Sequence, residues 1–125
     1  MKPLDRPPIL IVDDDRDVLR VLSRILGRDF DVHEASSGTE ALARLDQRKF
    51  TLVLSDLDMP PGLDGIEVLR ASQRIHPSAG RLLLTAASRP DLIEHLRSGL
   101  VDRILCKPGS PEAIRDAVAR HSRTA

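Results

Sequence analysis

The sequence has 125 residues, enough for one domain with a sizeable core and too few for two. Lys+Arg and Asp+Glu both number 19, so no global basic field draws in nucleic acid, and 2% aromatics without Trp or Tyr exclude a base-stacking platform. The single cysteine, Cys106, rules out an internal disulfide, and no apolar run nears the roughly 20 residues of a membrane span, so a cytoplasmic protein with no membrane contact is expected.

Met1 to Pro8 holds three prolines among mixed charges and reads as a disordered leader, with a domain over 9–122 and a tail over 123–125. Ile9-Leu-Ile-Val12 is a continuous apolar run that closes on Asp13-Asp14-Asp15, the pattern of a strand buried on both faces. Val18, Leu19, Val21, Leu22, Ile25 and Leu26 recur at helical spacing, and Gly27 stands where a helix-ending glycine belongs. Asp31 to Ala35 reads as a second strand. Ser37-Gly-Thr-Glu40 has capping-box form and opens a helix through about Lys49.

The third strand, from Thr51, ends at Asp56, where Met59-Pro60-Pro61-Gly62 breaks the chain before a helix starts at Asp64 or Gly65 and runs to His76-Pro77. Arg81 to Thr85 is the fourth strand. Ser88-Arg-Pro-Asp91 again has capping-box form, opening a helix that stops near Gly99. Asp102 to Cys106 is the fifth strand, followed by Lys107-Pro108 and a last helix capped at Ser110. Five strands alternating with five helices imply a doubly wound α/β domain with a parallel sheet.

Parallel connectivity puts the carboxyl ends of all five strands on one rim, where ligands of open α/β sheets bind. That rim carries Asp13, Asp14, Asp56, Thr85 and Lys107. Three crowded carboxylates repel one another unless a cation joins them, and hard oxygen ligands suit Mg²⁺, which keeps several waters and bridges to phosphate. Lys107 offers a positive charge and Thr85 a hydroxyl, both suited to phosphoryl oxygens. The pattern points to an aspartate that accepts a phosphoryl group with metal help. Crowding also predicts that Mg²⁺ stabilises the fold and that Asp13→Ala stabilises the metal-free protein.

From Ile9 to His121 the chain resembles a receiver domain of a two-component response regulator. The resemblance rests on Ile11-Val12-Asp13-Asp14, on Ser55-Asp56 with Met59-Pro60 and Asp64-Gly65, on Leu84-Thr85-Ala86, and on Lys107-Pro108. It implies a flavodoxin-like sheet of order 2-1-3-4-5, and Asp56 as the phosphoacceptor for a histidine kinase or histidine phosphotransfer protein. It implies Mg²⁺ held by Asp14, Asp56 and the backbone carbonyl of Asp58, with Asp13 acting mainly through water. Thr85 and Lys107 would contact the phosphoryl group, and the Lys107–Pro108 bond would be cis. The fourth helix, fifth strand and fifth helix would signal to an output domain or protein, with a phosphorylation-dependent homodimer as one form. No enzymatic turnover beyond self-catalysed phosphotransfer and autodephosphorylation is implied.

Two departures stand out. The Met59–Gly65 loop is one residue longer than usual, and Ile104 occupies a position commonly Tyr or Phe, so the aromatic rotation coupled to the threonine cannot occur in that form. Arg103-Ile-Leu-Cys-Lys-Pro108 is similar to a variant of receivers attached to signalling enzymes. Two other functions fit parts of the pattern: a phosphorylation-independent docking module, and a haloacid-dehalogenase-like phosphatase using Asp56-Leu-Asp58. The latter family places its acid pair after the lysine, whereas Asp13-Asp14 precedes it here. Cys106 is expected to be a buried small hydrophobe, Asp15 and Asp17 to be helix N-terminal charges, and Arg97, Arg103 and Arg115 to line the output face. His33, His76, His95 and His121 lack ligand spacing, so neither a zinc site nor a histidine phosphoacceptor is expected.

Overall fold

Ten elements alternate along the chain: β1 (Pro8–Val12), α1 (Arg16–Leu26), β2 (Asp31–Ala35), α2 (Gly38–Gln47), β3 (Leu52–Asp56), α3 (Gly65–Ile75), β4 (Gly80–Thr85), α4 (Asp91–Arg97), β5 (Arg103–Cys106) and α5 (Pro111–His121). They come from a computed structural model that describes residues 6–86 and 89–123. The strands form one parallel sheet of order β2-β1-β3-β4-β5, as expected. Chain order reverses direction across β1 and β3, which makes the crevice beyond their carboxyl ends the topological switch point.

Alternation along the strands builds two cores. Ile9, Ile11, Leu52, Leu54, Leu82, Leu84 and Leu105 face α1 and α5, where they meet Leu19, Leu22, Leu26, Ile114 and Val118. Leu10, Val12, Val53 and Leu83 face the other way, against Ala41, Leu45, Val68, Leu69 and Leu92 of α2, α3 and α4. A strand covered on both faces needs no polar side, which explains the uninterrupted apolar runs.

Several local expectations shift. β1 begins at Pro8, inside the expected leader, because a strand's first residue tolerates a missing N–H. Pro7 and Pro8 offer their carbonyls to the amides of Asp31 and Thr51, and Arg6 reaches the Gly27 carbonyl. Residues 1–5 of the leader and 124–125 of the tail lie outside the described residues, as does the Ser88 cap. α4 instead follows Pro90, which provides no side-chain cap. Ser37 does accept from the Glu40 amide, but the box closes only halfway: the Glu40 carboxylate takes the Ser36 hydroxyl, at 3.1 Å. α2 ends at Gln47, two residues short of the expected Lys49. Cys106 is exposed, not buried: it ends β5, an edge strand.

Candidate functional site

Register sets the rim. Val12 pairs with Ser55, so Asp13 and Asp56, the next residue on each strand path, lie side by side. The alternation that sends Ile9, Ile11, Leu52, Leu54 and Leu105 toward α1 and α5 gives Asp13, Asp56 and Lys107 that same parity. They meet. Lys107 Nζ donates to Asp13 Oδ2 at 2.9 Å and lies 3.2 Å from Asp56 Oδ1. Asp13 is 1% exposed and Asp56 is 9% exposed, so their charges require partners. Asp13 Oδ1 accepts from the Asp15 amide and Asp56 Oδ1 from the Leu57 amide, both at 2.9 Å.

Burial first, then the charge of Asp13, raises the Asp56 carboxyl above its usual range, although Lys107 and the Leu57 amide pull it down. Burial alone would lower the Lys107 ammonium; hydrogen bonds and attraction to Asp13, then Asp56, outweigh this and raise it. The sequence expectation of three uncompensated carboxylates therefore needs correction. Lys107 partly neutralises the cluster and Asp13 is its closest partner, so Asp13→Ala is not expected to stabilise the metal-free protein.

Exposed Asp14 completes the group: one carboxylate oxygen each from Asp13, Asp14 and Asp56 lies within 4.8 Å of the others. Three oxygen donors so close, two of them buried, fit a small hard cation. Thr85 is buried at the end of β4, and its carbonyl accepts the Lys107 amide at 2.9 Å. Its parity is that of Leu83, toward the α4 side, and opposite to that of Asp13, Asp56 and Lys107. Asp58 lies two residues past Asp56 with its side chain exposed. The Lys107–Pro108 bond is cis, as the resemblance implies, and so is Pro60–Pro61.

The loop over the site is fixed by a device that the sequence reading missed. Asp64 and Glu67 form a reciprocal capping box: Asp64 Oδ1 accepts the Glu67 amide at 2.9 Å, and Glu67 Oε1 accepts the Asp64 amide at 3.1 Å. The Asp-x-x-Glu signal was present in Asp64-Gly-Ile-Glu67. The Gly65 amide then donates to the Leu57 carbonyl at 2.8 Å, closing the loop. A Cβ on Gly65 would lie 2.1 Å from the Asp56 carbonyl oxygen, so only glycine lets α3 start against the strand end. Gly65→Ala should lower stability by about 2 kcal/mol and weaken Mg²⁺ binding, because the Asp56 backbone must move. Urea unfolding and a Mg²⁺ titration check both; unchanged values would mean that the loop yields freely.

The response regulator receiver domain model matches residues 9–119. The chain is a member of that family. It is 37% identical over 118 residues to the response regulator protein FleR of Pseudomonas aeruginosa, covering 91% of this chain and 24% of that protein. It is 34% identical over 112 residues to the transcriptional regulatory protein GlrR of Escherichia coli K12, covering 88% and 25%. The chain thus spans about a quarter of the length of these relatives. Among solved structures, it aligns with the receiver domain of an HD domain-containing protein from Pseudomonas fluorescens at TM-score 0.85 and 31% identity, covering 93% of this chain and 94% of that one. The beryllofluoride-activated DrrB receiver domain aligns at TM-score 0.83 and 27% identity, covering 93% and 97%. Receiver membership and the acidic pocket of Asp13, Asp14 and Asp56 leave no support for the dehalogenase-like alternative.

Proposed function

We propose that Asp56 of this receiver accepts a phosphoryl group from a histidine of a kinase or phosphotransfer protein. The observation that carries this reading is the contact of Lys107 with both Asp13 and Asp56 inside the acidic group. Asp56 Oδ1 already accepts the Leu57 amide and faces Lys107, so Oδ2 is the attacking oxygen. Attack forms the O–P bond as the P–N bond to the donor imidazole breaks. The raised basicity of Asp56 makes its ionised form a better nucleophile. Lys107 then offsets charge on the phosphoryl oxygens, and the Thr85 hydroxyl binds them from the other side.

Asp14, Asp56 and the Asp58 carbonyl would hold Mg²⁺, with Asp13 acting through water; the bound ion supplies charge neutralisation at the phosphoryl oxygens. An apolar groove of about 490 Å³ opens beside Lys107, lined by Val18, Val21, Leu22, Ile25 and Pro108, and would seat a donor domain beside the lysine that contacts Asp56. The α4–β5–α5 face, with Ile93 and Leu96 exposed on α4, would pass the signal to an output domain or to a second receiver.

Incubation with acetyl phosphate and Mg²⁺ tests the proposal: one phosphoryl group should appear, on the peptide holding Asp56. A folded, Mg²⁺-binding protein that takes no label would favour the docking-module alternative instead. Because only the folded chain gathers the three carboxylates, Mg²⁺ at a hundredfold excess over Kd should add about 2.7 kcal/mol, or about 8 °C in Tm. Asp14→Asn should weaken that response without disturbing the metal-free fold, since Asp14 is exposed. Equal Mg²⁺ affinity in the variant would remove Asp14 from the ligand set.

A further inference from the structure

Arg89, just before α4, takes no part in the chemistry described so far. Its guanidinium grips Asp91 with two prongs, Nε to Oδ1 at 3.1 Å and Nη2 to Oδ2 at 2.7 Å. Its third nitrogen, Nη1, lies 4.0 Å from Asp58 Oδ1. One side chain therefore links the first turn of α4 to the loop that begins immediately after Asp56. The two partners differ in strength. Asp91 is held by short, paired hydrogen bonds, whereas Asp58 is a distant contact between exposed groups, of a kind that contributes little to stability. Giving up the Asp58 contact costs little, and because the guanidinium is rigid and planar, any movement that keeps the grip carries Asp91 with it.

An acid two residues past the phosphoacceptor opposes an incoming phosphoryl donor, and a nearby guanidinium favours one. In the observed arrangement each offsets the other. A phosphoryl group on Asp56 brings a charge of about −1.5 to −2 and three strong acceptor oxygens, to which a guanidinium is well matched. It would outcompete a single carboxylate at 4.0 Å.

We propose that Arg89 is a second phosphoryl-binding cation of this receiver, held in reserve by Asp58, a role that rests on Asp56 being the phosphoacceptor. Because Asp91 is the first residue of α4, recruitment of Arg89 also draws that helix toward the phosphorylated rim. This gives the chain a route from Asp56 to α4 that does not use an aromatic residue at position 104.

A double-mutant cycle on acetyl phosphate labelling, with Mg²⁺, tests it: wild type, Asp58→Asn, Arg89→Ala and the pair. Asp58→Asn should raise the labelling rate at low donor concentration by about fivefold. Arg89→Ala should lower it, chiefly through a higher KM for acetyl phosphate, and Arg89→Lys should recover part of the loss. In the Arg89→Ala background the gain from Asp58→Asn should shrink to the part that comes from removing the acid itself, and beryllofluoride should no longer shift the NMR resonances of residues 89–92 as far as in wild type. Additive effects, or wild-type kinetics in Arg89→Ala, would overturn the proposal while leaving Asp56 as the acceptor. Absence of label on Asp56 in the wild-type chain would overturn both.

Discussion

Asp56→Asn is expected to abolish labelling by acetyl phosphate and, at neutral pH, to raise the melting temperature of the metal-free protein. The first effect follows from chemistry, because an amide oxygen is too weak a nucleophile to take a phosphoryl group. The second follows from burial and from the charge of Asp13, which raise the Asp56 carboxyl above its ordinary value. A carboxyl harder to ionise in the folded state than in the unfolded chain destabilises the fold wherever both are ionised. That penalty shrinks as pH falls through the folded-state value and is gone below the unfolded one. The Asn variant should therefore lead wild type at about pH 7 and lose its lead toward about pH 4. Asn keeps an acceptor for the Leu57 amide and leaves Lys107 paired with Asp13, so no new unpaired charge confuses the comparison. Label on another residue, retained label in the variant, or a lead that grows in acid would each contradict the assignment.

The strands were legible because each is a short apolar run stopped by a polar residue or a turn, and strand alternation already contains part of the site. Counting by twos from Ile11, Leu54 and Leu105 puts Asp13, Asp56 and Lys107 on one side and Thr85 on the other, before any coordinates. Reading strand ends merely as a shared rim lost that distinction, and with it the lysine as the internal counter-ion. Other features had no local signal. The half-closed box at Ser37 depends on competition from Ser36 for Glu40. Cys106 depends on which strand becomes an edge. The Asp58–Arg89 contact joins residues far apart in the chain whose charges look like ordinary solvated ones. Ile104 was legible as a departure; in the fold it is partly buried and packs against the core on the α2–α4 side.

Arg81 hid in plain view as the charged first residue of an apolar run, and it predicts the largest stability effect. It is 5% exposed, yet the hydrogen bonds of its guanidinium all go to backbone carbonyls. Nε donates to Leu100 at 2.8 Å, Nη2 to Gly99 at 3.1 Å, and Nη1 to Ala79 at 3.0 Å and Pro77 at 3.1 Å. These carbonyls lie just beyond the C-terminal ends of α3 and α4, where the chain leaves its helical partners and the helix dipoles are negative. Burial lowers the Arg81 pKa, with Asp102 opposing, but a guanidinium stays charged throughout the working range. One side chain thus supplies the donors that two helix exits need, and Asp102 fixes its backbone by accepting the Arg81 amide at 2.8 Å. Arg81→Met keeps most of the stem but leaves four carbonyls without that donor, at an expected cost of about 4 kcal/mol, or about 12 °C in Tm. Arg81→Lys keeps the charge but not the fork, and about 2 kcal/mol should be lost. Urea unfolding should show lower midpoints at an unchanged slope, in that order. A Met variant within about 1 kcal/mol of wild type would mean that water replaces the guanidinium at those carbonyls, and Arg81 would not be what joins the two helix exits.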